Sequence, residues 1–363
     1  MTLLDERLLD DGNLLEEADP GGMLRQVASA AAQVRSGQRA AAEADLGVIV
    51  GPDRPRAILV TGMGGSGIAG DILAAVCGPG SPVQVATIRD YQLPGWAGAA
   101  DLVIAVSCSG STEETLNLAH AAVRRGCRLA AVGGARSPLA DLAAQARAPF
   151  IPVVSAGWPR STLWGLSVPL IAIAQRLGLA ELGQDVYEEA AKLLEDISHR
   201  CRPDSESFVN PAKVLAAELV GCLPVIWGTS PLTGVVAQRF AAQLSENAKL
   251  LGLPGVLPEA NHNQVVAFDG PLAAPEAPLP MRLVLLTDTH EHPQVTKRRR
   301  ASVELAAERG IGVTELSAEG DHPLVRLASL VQLIDYATVY LALGSGMDPS
   351  PINPIQELKA RIA

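Results

Sequence analysis

LVIAVSCSGSTEET, residues 102–115, reads as a buried strand, a loop of small hydroxyl side chains and the first turn of a helix. Leu102–Val106 is a short apolar run with Val and Ile, the pattern of a strand covered on both faces in a parallel sheet. The loop carries Ser107, Ser109, Ser111 and Thr112, with Gly110 allowing a tight turn. Glu113 and Glu114 occupy the first turn of the following helix, where acidic side chains suit the dipole. Free backbone N–H groups at a helix start, joined by hydroxyls, make a site for a phosphate group. The competing reading is an ordinary helix cap, since S-x-x-E is a capping box. One cap needs one hydroxyl, and this loop has four within six positions.

Upstream the same plan recurs. Ala57–Val60 is a strand that runs into TGMGGSGIAGD, residues 61–71. Gly62, Gly64, Gly65 and Gly67 leave little side-chain bulk, Ser66 adds a hydroxyl, and a helix is expected from Ile68 to about Val76. Backbone amides in such a loop bind anions. The likeness to the dinucleotide G-x-G-x-x-G is superficial. The next strand, Val83–Ala86, leads into Thr87-Ile88-Arg89-Asp90, where only Asp90 offers a ribose partner, and no G-K-[ST] follows to make a Walker A loop. A nucleotide is therefore disfavoured. Strands recur at Leu102–Val106, Leu129–Val132 and Phe150–Val154 with helical stretches between them. That alternation predicts a doubly wound parallel sheet with its ligand at the carboxyl edge of the strands.

Outward from this region the chain divides. Residues up to about Gly47 read as helical, with a helix starting at Asp19-Pro20. Arg160 stands in GWPRSTLWGL, residues 157–166, before a helical apolar run, and CRPDSES at 201–207 reads as an interdomain boundary. The second half repeats the α/β pattern more weakly. Strands are expected at Leu223–Trp227, Val265–Phe268 and Leu283–Leu286, with another around Val313. Helices are expected from about Thr233 to Leu250, from Val295 to Arg309 and from Leu324 to Leu343. The expected organisation is an N-terminal helical segment (1–45), a first α/β domain with the phosphate loops (46–200), a second α/β domain (201–345) and a C-terminal segment (346–363).

The second half holds further candidate chemistry. Val236, Phe240 and Leu244 form the apolar stripe of its first helix, and Glu246 lies off that stripe. A carboxylate near a helix C-terminus faces the negative end of the dipole, which suits a proton acceptor. An exposed Glu246–Lys249 pair at i, i+3 explains the same residues equally well. His262 sits between two asparagines in PEANHNQVVAF, residues 258–268, before an expected strand; most single loop histidines have no chemical task, and the competing reading is that the flanking amides orient the ring. His290-Glu291-His292 lacks a third convergent ligand and reads as solvated surface rather than a metal site.

Composition limits the function classes. The 363-residue chain is long enough for two domains, nearly half apolar and only 3% aromatic, so a large aliphatic core is available. The net charge of −10 argues against nucleic acid, and Lys297–Arg300 reads as a solvated helix face. Five scattered cysteines without a C-x-x-C pair fit a reducing cytoplasm, without disulfides or structural zinc. The acidic N-terminus is not a signal peptide, and no apolar stretch reads as a membrane span; Leu327–Leu343 contains Gln332 and Asp335 and reads as a buried helix.

Taken together and in order, GMGGSGIAGD (62–71), SCSGSTEET (107–115), PR (159–160), SENAK (245–249), EANHN (259–263) and DPSPINPIQELK (348–359) resemble the bifunctional phosphoglucose/phosphomannose isomerases. That family is a branch of the phosphoglucose isomerase superfamily. The resemblance implies two sugar isomerase (SIS) domains, each a doubly wound, flavodoxin-like parallel sheet. It implies that Gly65, Ser66, Ser107, Ser109 and Thr112 hold a sugar phosphate. It implies that Glu246 moves a proton between C1 and C2, that Arg160 stabilises the enediolate, and that His262 and Lys359 open the ring. It also implies a homodimer with His262 contributed across the interface, no metal and no cofactor. The first 45 residues carry no family motif, and Trp158 and Trp164 flank Arg160 with unusual bulk.

The expected function is thus an isomerase joining glucose 6-phosphate and/or mannose 6-phosphate to fructose 6-phosphate. The alternatives are a non-catalytic phosphosugar-binding regulatory protein on the same fold, or an isomerase of another sugar phosphate.

Overall fold

The computed structural model describes residues 4–155 and 157–362. Short helices open the chain: α1 (Glu6–Asp10), α2 (Gly12–Ala18), α3 (Met23–Ala28) and the longer α4 (Ala30–Glu43). The expected helix at Asp19-Pro20 begins later, at Met23, because Asp19 closes α2 while its carboxylate accepts the N–H groups of Met23 and Leu24 at 2.8 and 2.9 Å.

The chain then forms β1 (Ala57–Thr61), α5 (Gly65–Cys77), β2 (Gln84–Ile88), β3 (Leu102–Ser107), α6 (Glu113–Arg124), β4 (Arg128–Gly133), α7 (Pro138–Gln145), β5 (Phe150–Pro152), α8 (Leu163–Arg176) and α9 (Gln184–Arg200). The five strands are parallel in the order β2-β1-β3-β4-β5, the flavodoxin-like arrangement expected from the motif order. Every residue of β1 and β3 is buried, which accounts for their unbroken apolar runs. Leu59, Val103, Ala105, Leu129 and Ala131 pack with Leu118, Ala119, Leu139 and Leu142 of α6 and α7. Their neighbours in the strands point to the other face, which α5 and α8 cover. Each fully buried Leu, Ile or Val contributes roughly 1.5–3 kcal/mol. α4 lies close against α8, because Gly37 has no side chain: a Cβ there would meet Val168 Cβ at 3.2 Å.

A second set of elements follows: α10 (Pro211–Leu219), β6 (Leu223–Gly228), α11 (Pro231–Ala248), β7 (Leu253–Val256), β8 (Met281–Thr287), α12 (Pro293–Glu308), β9 (Gly312–Ser317), α13 (Pro323–Gly344) and α14 (Asn353–Ile362). The strands are parallel in the order β7-β6-β8-β9, the same winding with one strand fewer. Val265–Phe268, expected as a strand, is instead a 3-10 helix, Gln264–Asp269. Phe268 is buried and stacks on Trp227 at 5.6 Å between ring centroids, while Val266 is 70% exposed, so this run has no two-faced sheet environment. The strand that fills the position is β7, Leu-Pro-Gly-Val, hidden from pattern reading by its Pro and Gly. It lies at the sheet edge, where Pro is tolerated. α11 ends at Ala248 rather than Leu250, because Lys249 takes a left-handed conformation with φ 56°.

Two compact units result. Residues 29–195, with 322–325, form one; residues 1–28, 196–321 and 326–363 form the other. The N-terminal 28 residues therefore belong with the second sheet. Lys213, its side chain fully buried, anchors them: its ammonium donates to Leu9 O, Pro203 O and Ser205 O at 2.5, 2.8 and 2.7 Å. Burial lowers the Lys213 pKa, and Asp10 opposes that shift. Within the same unit Arg239 and Asp335 form a buried pair between α11 and α13, at 3.0 Å from Nε, with Gln243 donating at 3.2 Å. Burial pushes the Asp335 carboxyl above its usual range, against the pull of Arg239.

Candidate active site

At the carboxyl edge of the β2-β1-β3-β4-β5 sheet, the hydroxyls of the β3–α6 loop bond to one another, Ser107 buried and Ser109 and Ser111 exposed. Thr112 holds the N-cap position of α6, yet its side chain makes no capping bond. Its hydroxyl lies 2.9 Å from Ser107 Oγ instead. Ser107 Oγ also accepts the Gly110 N–H at 3.0 Å and sits 3.5 Å from Ser109 Oγ. Ser109 Oγ in turn accepts from the N–H and hydroxyl of Ser111 at 3.3 and 3.1 Å. The capping explanation of this loop thus fails at the residue where it should hold. Gly110 is required twice over: its φ is +69°, and a Cβ would overlap the Ser137 side chain. From the neighbouring loop Ser66 joins the cluster, its hydroxyl accepting the Cys108 N–H at 3.4 Å. Hydroxyls that can donate or accept, beside open helix N–H groups, suit an anionic oxygen cluster.

The Gly-rich segment differs from expectation at one point. α5 starts at Gly65, so Gly65 and Ser66 lie in its first turn rather than in a loop before it. The next segment lies beside Gly65: a Cβ there would sit in ordinary contact with Pro159 O at 3.5 Å and Arg160 Cα at 3.7 Å. Arg160 lies in a 3-10 turn, Pro159–Ser161, and is only 3% exposed. Its guanidinium stands 5.2 Å from the Trp158 ring centroid, and Trp164 is buried in α8. The sequence reading missed Arg89, whose guanidinium packs against Gly67 and pairs with Asp71. Asp71 also accepts from Thr87 Oγ1 at 2.7 Å. The available signal was position: Arg89 directly follows β2 at the carboxyl edge of the sheet.

The structure thus gathers Gly65, Ser66, Ser107, Ser109, Thr112 and Arg160 within one unit. It sets Glu246, His262 and Lys359 on separate elements of the other. Glu246 is half-buried near the end of α11, while Gln243, Leu244 and Asn247 point inward. The Lys249 ammonium donates to the Glu246 backbone carbonyl at 2.6 Å and to Pro349 O at 3.3 Å. His262 ends a 3-10 helix, Glu259–His262, and is exposed. Its flanking amides are directed elsewhere: Asn261 Nδ2 donates to Ser302 Oγ and Asn263 Nδ2 to Glu259 Oε1. Lys359 is exposed on α14, a helix without a buried residue.

Among the described residues no group of three or more His, Cys, Asp and Glu side chains is arranged to hold a metal ion. Glu291 of the His290-Glu291-His292 run pairs with Arg299 at 3.2 Å, and His292 Nδ1 accepts the Gln294 N–H. One helix among the described residues, Pro323–Gly344, is long and apolar enough to cross a membrane, and 94% of its apolar window is buried in the protein.

Residues 208–362 match the family model of the bacterial phospho-glucose isomerase C-terminal SIS domain. Over 308 residues the chain is 34% identical to the bifunctional phosphoglucose/phosphomannose isomerase of Caldicellulosiruptor bescii, covering 84% of this chain and 89% of that protein. Among solved structures, a hypothetical protein from Thermus thermophilus superposes with a TM-score of 0.73 at 18% identity, covering 99% of this chain and 92% of that one. The C-terminal domain of glucosamine-fructose-6-phosphate aminotransferase from Francisella tularensis gives 0.63 at 14% identity, covering 90% and 96%. The structural likenesses establish the fold, and the sequence identity across most of both chains establishes the family: the chain belongs to the bifunctional phosphoglucose/phosphomannose isomerases.

Proposed function

We propose that the protein interconverts glucose 6-phosphate and/or mannose 6-phosphate with fructose 6-phosphate, without a metal, through an enediolate. The observation that carries this reading is the hydroxyl cluster of Ser107, Ser109 and Thr112, with Thr112 unspent as a cap and Arg160 held close to Gly65 in the same unit. In this reading Gly65, Ser66, Ser107, Ser109 and Thr112 bind the phosphate, whose contacts are remote from the reacting carbons. They fix C1 and C2 in place and so supply orientation.

Glu246 then removes the C2 proton of the open-chain aldose and returns it to C1, while a proton passes from O2 to O1. A C–H beside a carbonyl is a poor acid, so a carboxylate alone is too weak. The Arg160 cation stabilises the developing enediolate oxygen, an electrostatic contribution typically of ~10²–10³ in rate. His262 and Lys359 open the sugar ring by protonating the ring oxygen and taking the proton of the anomeric hydroxyl. The protein acts as a cytoplasmic homodimer, with His262 supplied across the interface.

A coupled assay on chelator-treated protein tests this. Glucose 6-phosphate and mannose 6-phosphate are supplied separately and fructose 6-phosphate is followed. Turnover of either supports the reading and sets the epimer preference. Sugar phosphate bound without turnover would make the protein a regulatory sensor. Turnover of a different sugar phosphate alone would reassign the substrate.

A further inference from the structure

The carboxyl edge of the β7-β6-β8-β9 sheet repeats the plan of the phosphate edge with one exchange. At the first edge the N–H of Cys108, just past β3, donates to the Ser66 hydroxyl near the β1–α5 turn at 3.4 Å. At the second edge the N–H of Asp288, just past β8, donates to the Thr229 hydroxyl in the β6–α11 turn at 3.0 Å. β3 and β8 hold the same place in their sheets, each beside the strand that opens its unit's winding. The two amides are therefore counterparts.

What lies beyond them differs. At the first edge, hydroxyls face one another, with Ser107 and Thr112 at 2.9 Å. At the second edge a carboxylate stands in the middle. Asp288 Oδ2 accepts from the Ser230 hydroxyl at 2.6 Å, and Oδ1 accepts the His290 N–H at 3.2 Å. Arg326 Nε lies 3.1 Å from Oδ1, with the two side chains only 7% and 3% exposed. The α11 terminus is separately closed by a capping box between Ser230 and Thr233. A buried guanidinium left without an anion is strongly unfavourable. Here the chain provides that anion itself.

We propose that this edge is a second oxyanion site, occupied by the chain's own Asp288 carboxylate. Any free phosphate would have to displace a group tethered to β8. The sealed unit is thus released from phosphate binding, and a sugar phosphate is directed to the Ser107–Thr112 loop alone.

The test counts bound inorganic phosphate by equilibrium dialysis and follows thermal melting with and without millimolar phosphate. Relative to the wild-type count, whatever that is, Asp288→Ala is expected to bind one additional phosphate per chain. Phosphate should also raise its melting temperature more than that of the wild type. Arg326→Met in the Asp288→Ala background should abolish both increments. Asp288→Ser, which keeps a hydroxyl, should behave as Asp288→Ala does. If the single variants fold only when phosphate is supplied, that dependence is the same expected result. An unchanged count, an increment that survives Arg326→Met, or failure to fold with and without phosphate would each overturn the proposal. Because the readout is an increment over wild type, it stays legible even where no isomerase activity is found.

Discussion

The two sheets share a winding order and differ at the edge where α/β proteins bind ligands. Beside β3, the short polar side chains of Ser66, Ser107, Ser109 and Thr112 cluster through hydroxyl and amide contacts, with no charged member among them. Beside β8, a carboxylate and a buried guanidinium neutralise each other. The same topology thus carries a cluster of uncharged hydroxyls at one edge and a closed ion pair at the other. The difference rests on a few side chains at strand ends, not on the fold. On the proposed function this implies a division of labour, in which the Ser107–Thr112 loop sets substrate affinity while Glu246, with Arg160 from the loop's own unit, sets turnover.

The sharpest way to break that division is Glu246→Gln. Loss of the base should lower kcat by ~10²–10⁴ with KM little changed, read by steady-state kinetics on the preferred hexose phosphate. An effect confined to KM would dissolve the distinction. Thr112→Val tests the open edge. It removes one hydroxyl bond to a charged group, worth about 1.5–3 kcal/mol. KM should rise about 10–100-fold while kcat stays within a few-fold. Loss of kcat alone would show that the loop does more than hold phosphate.

The smallest effect is expected at the opposite edge of the same sheet. Asp101, just before β3, is fully buried and bonded to Arg56 at 3.0 and 2.7 Å. Burial works to raise its carboxyl, but Arg56 and the backbone N–H groups of Gly98 and Ala57 outweigh it and hold the carboxyl below its usual range. A depressed carboxylate stabilises the fold above the unfolded value, about 3.9, and that contribution is lost as pH falls through the lower folded value. Asp101→Asn should therefore be less stable than wild type at neutral pH. The gap should close as pH drops below about 4, read by urea unfolding across pH, with kcat and KM unaltered. A gap independent of pH would assign the effect to packing rather than charge.

Much of this was legible in the chain. Strand, loop and helix order around Ser107 and Gly64 followed from apolar runs interrupted by Gly and hydroxyl residues, because those residue types answer to local backbone requirements. The buried stripe of Val236, Phe240 and Leu244 followed from helical spacing, and all three are fully buried. β7 did not, since a Pro-Gly pair reads locally as a turn and becomes a strand only beside β6. The exchange of Val265–Phe268 from strand to 3-10 helix likewise depended on Trp227, far away in sequence.

The sequence by itself determined the two α/β windings, the hydroxyl and glycine loops and the family, because periodicity and motif order are properties of neighbouring residues. Only the tertiary structure decided that Thr112 faces Ser107 rather than capping its helix, that Arg160 lies against Gly65, and that Asp288 meets Ser230 and Arg326. Asp288 and Ser230 are 58 positions apart along the chain. A buried charge acquires its meaning from the partner that neutralises it, and that partner is fixed by how strands and helices pack, not by the residues beside it.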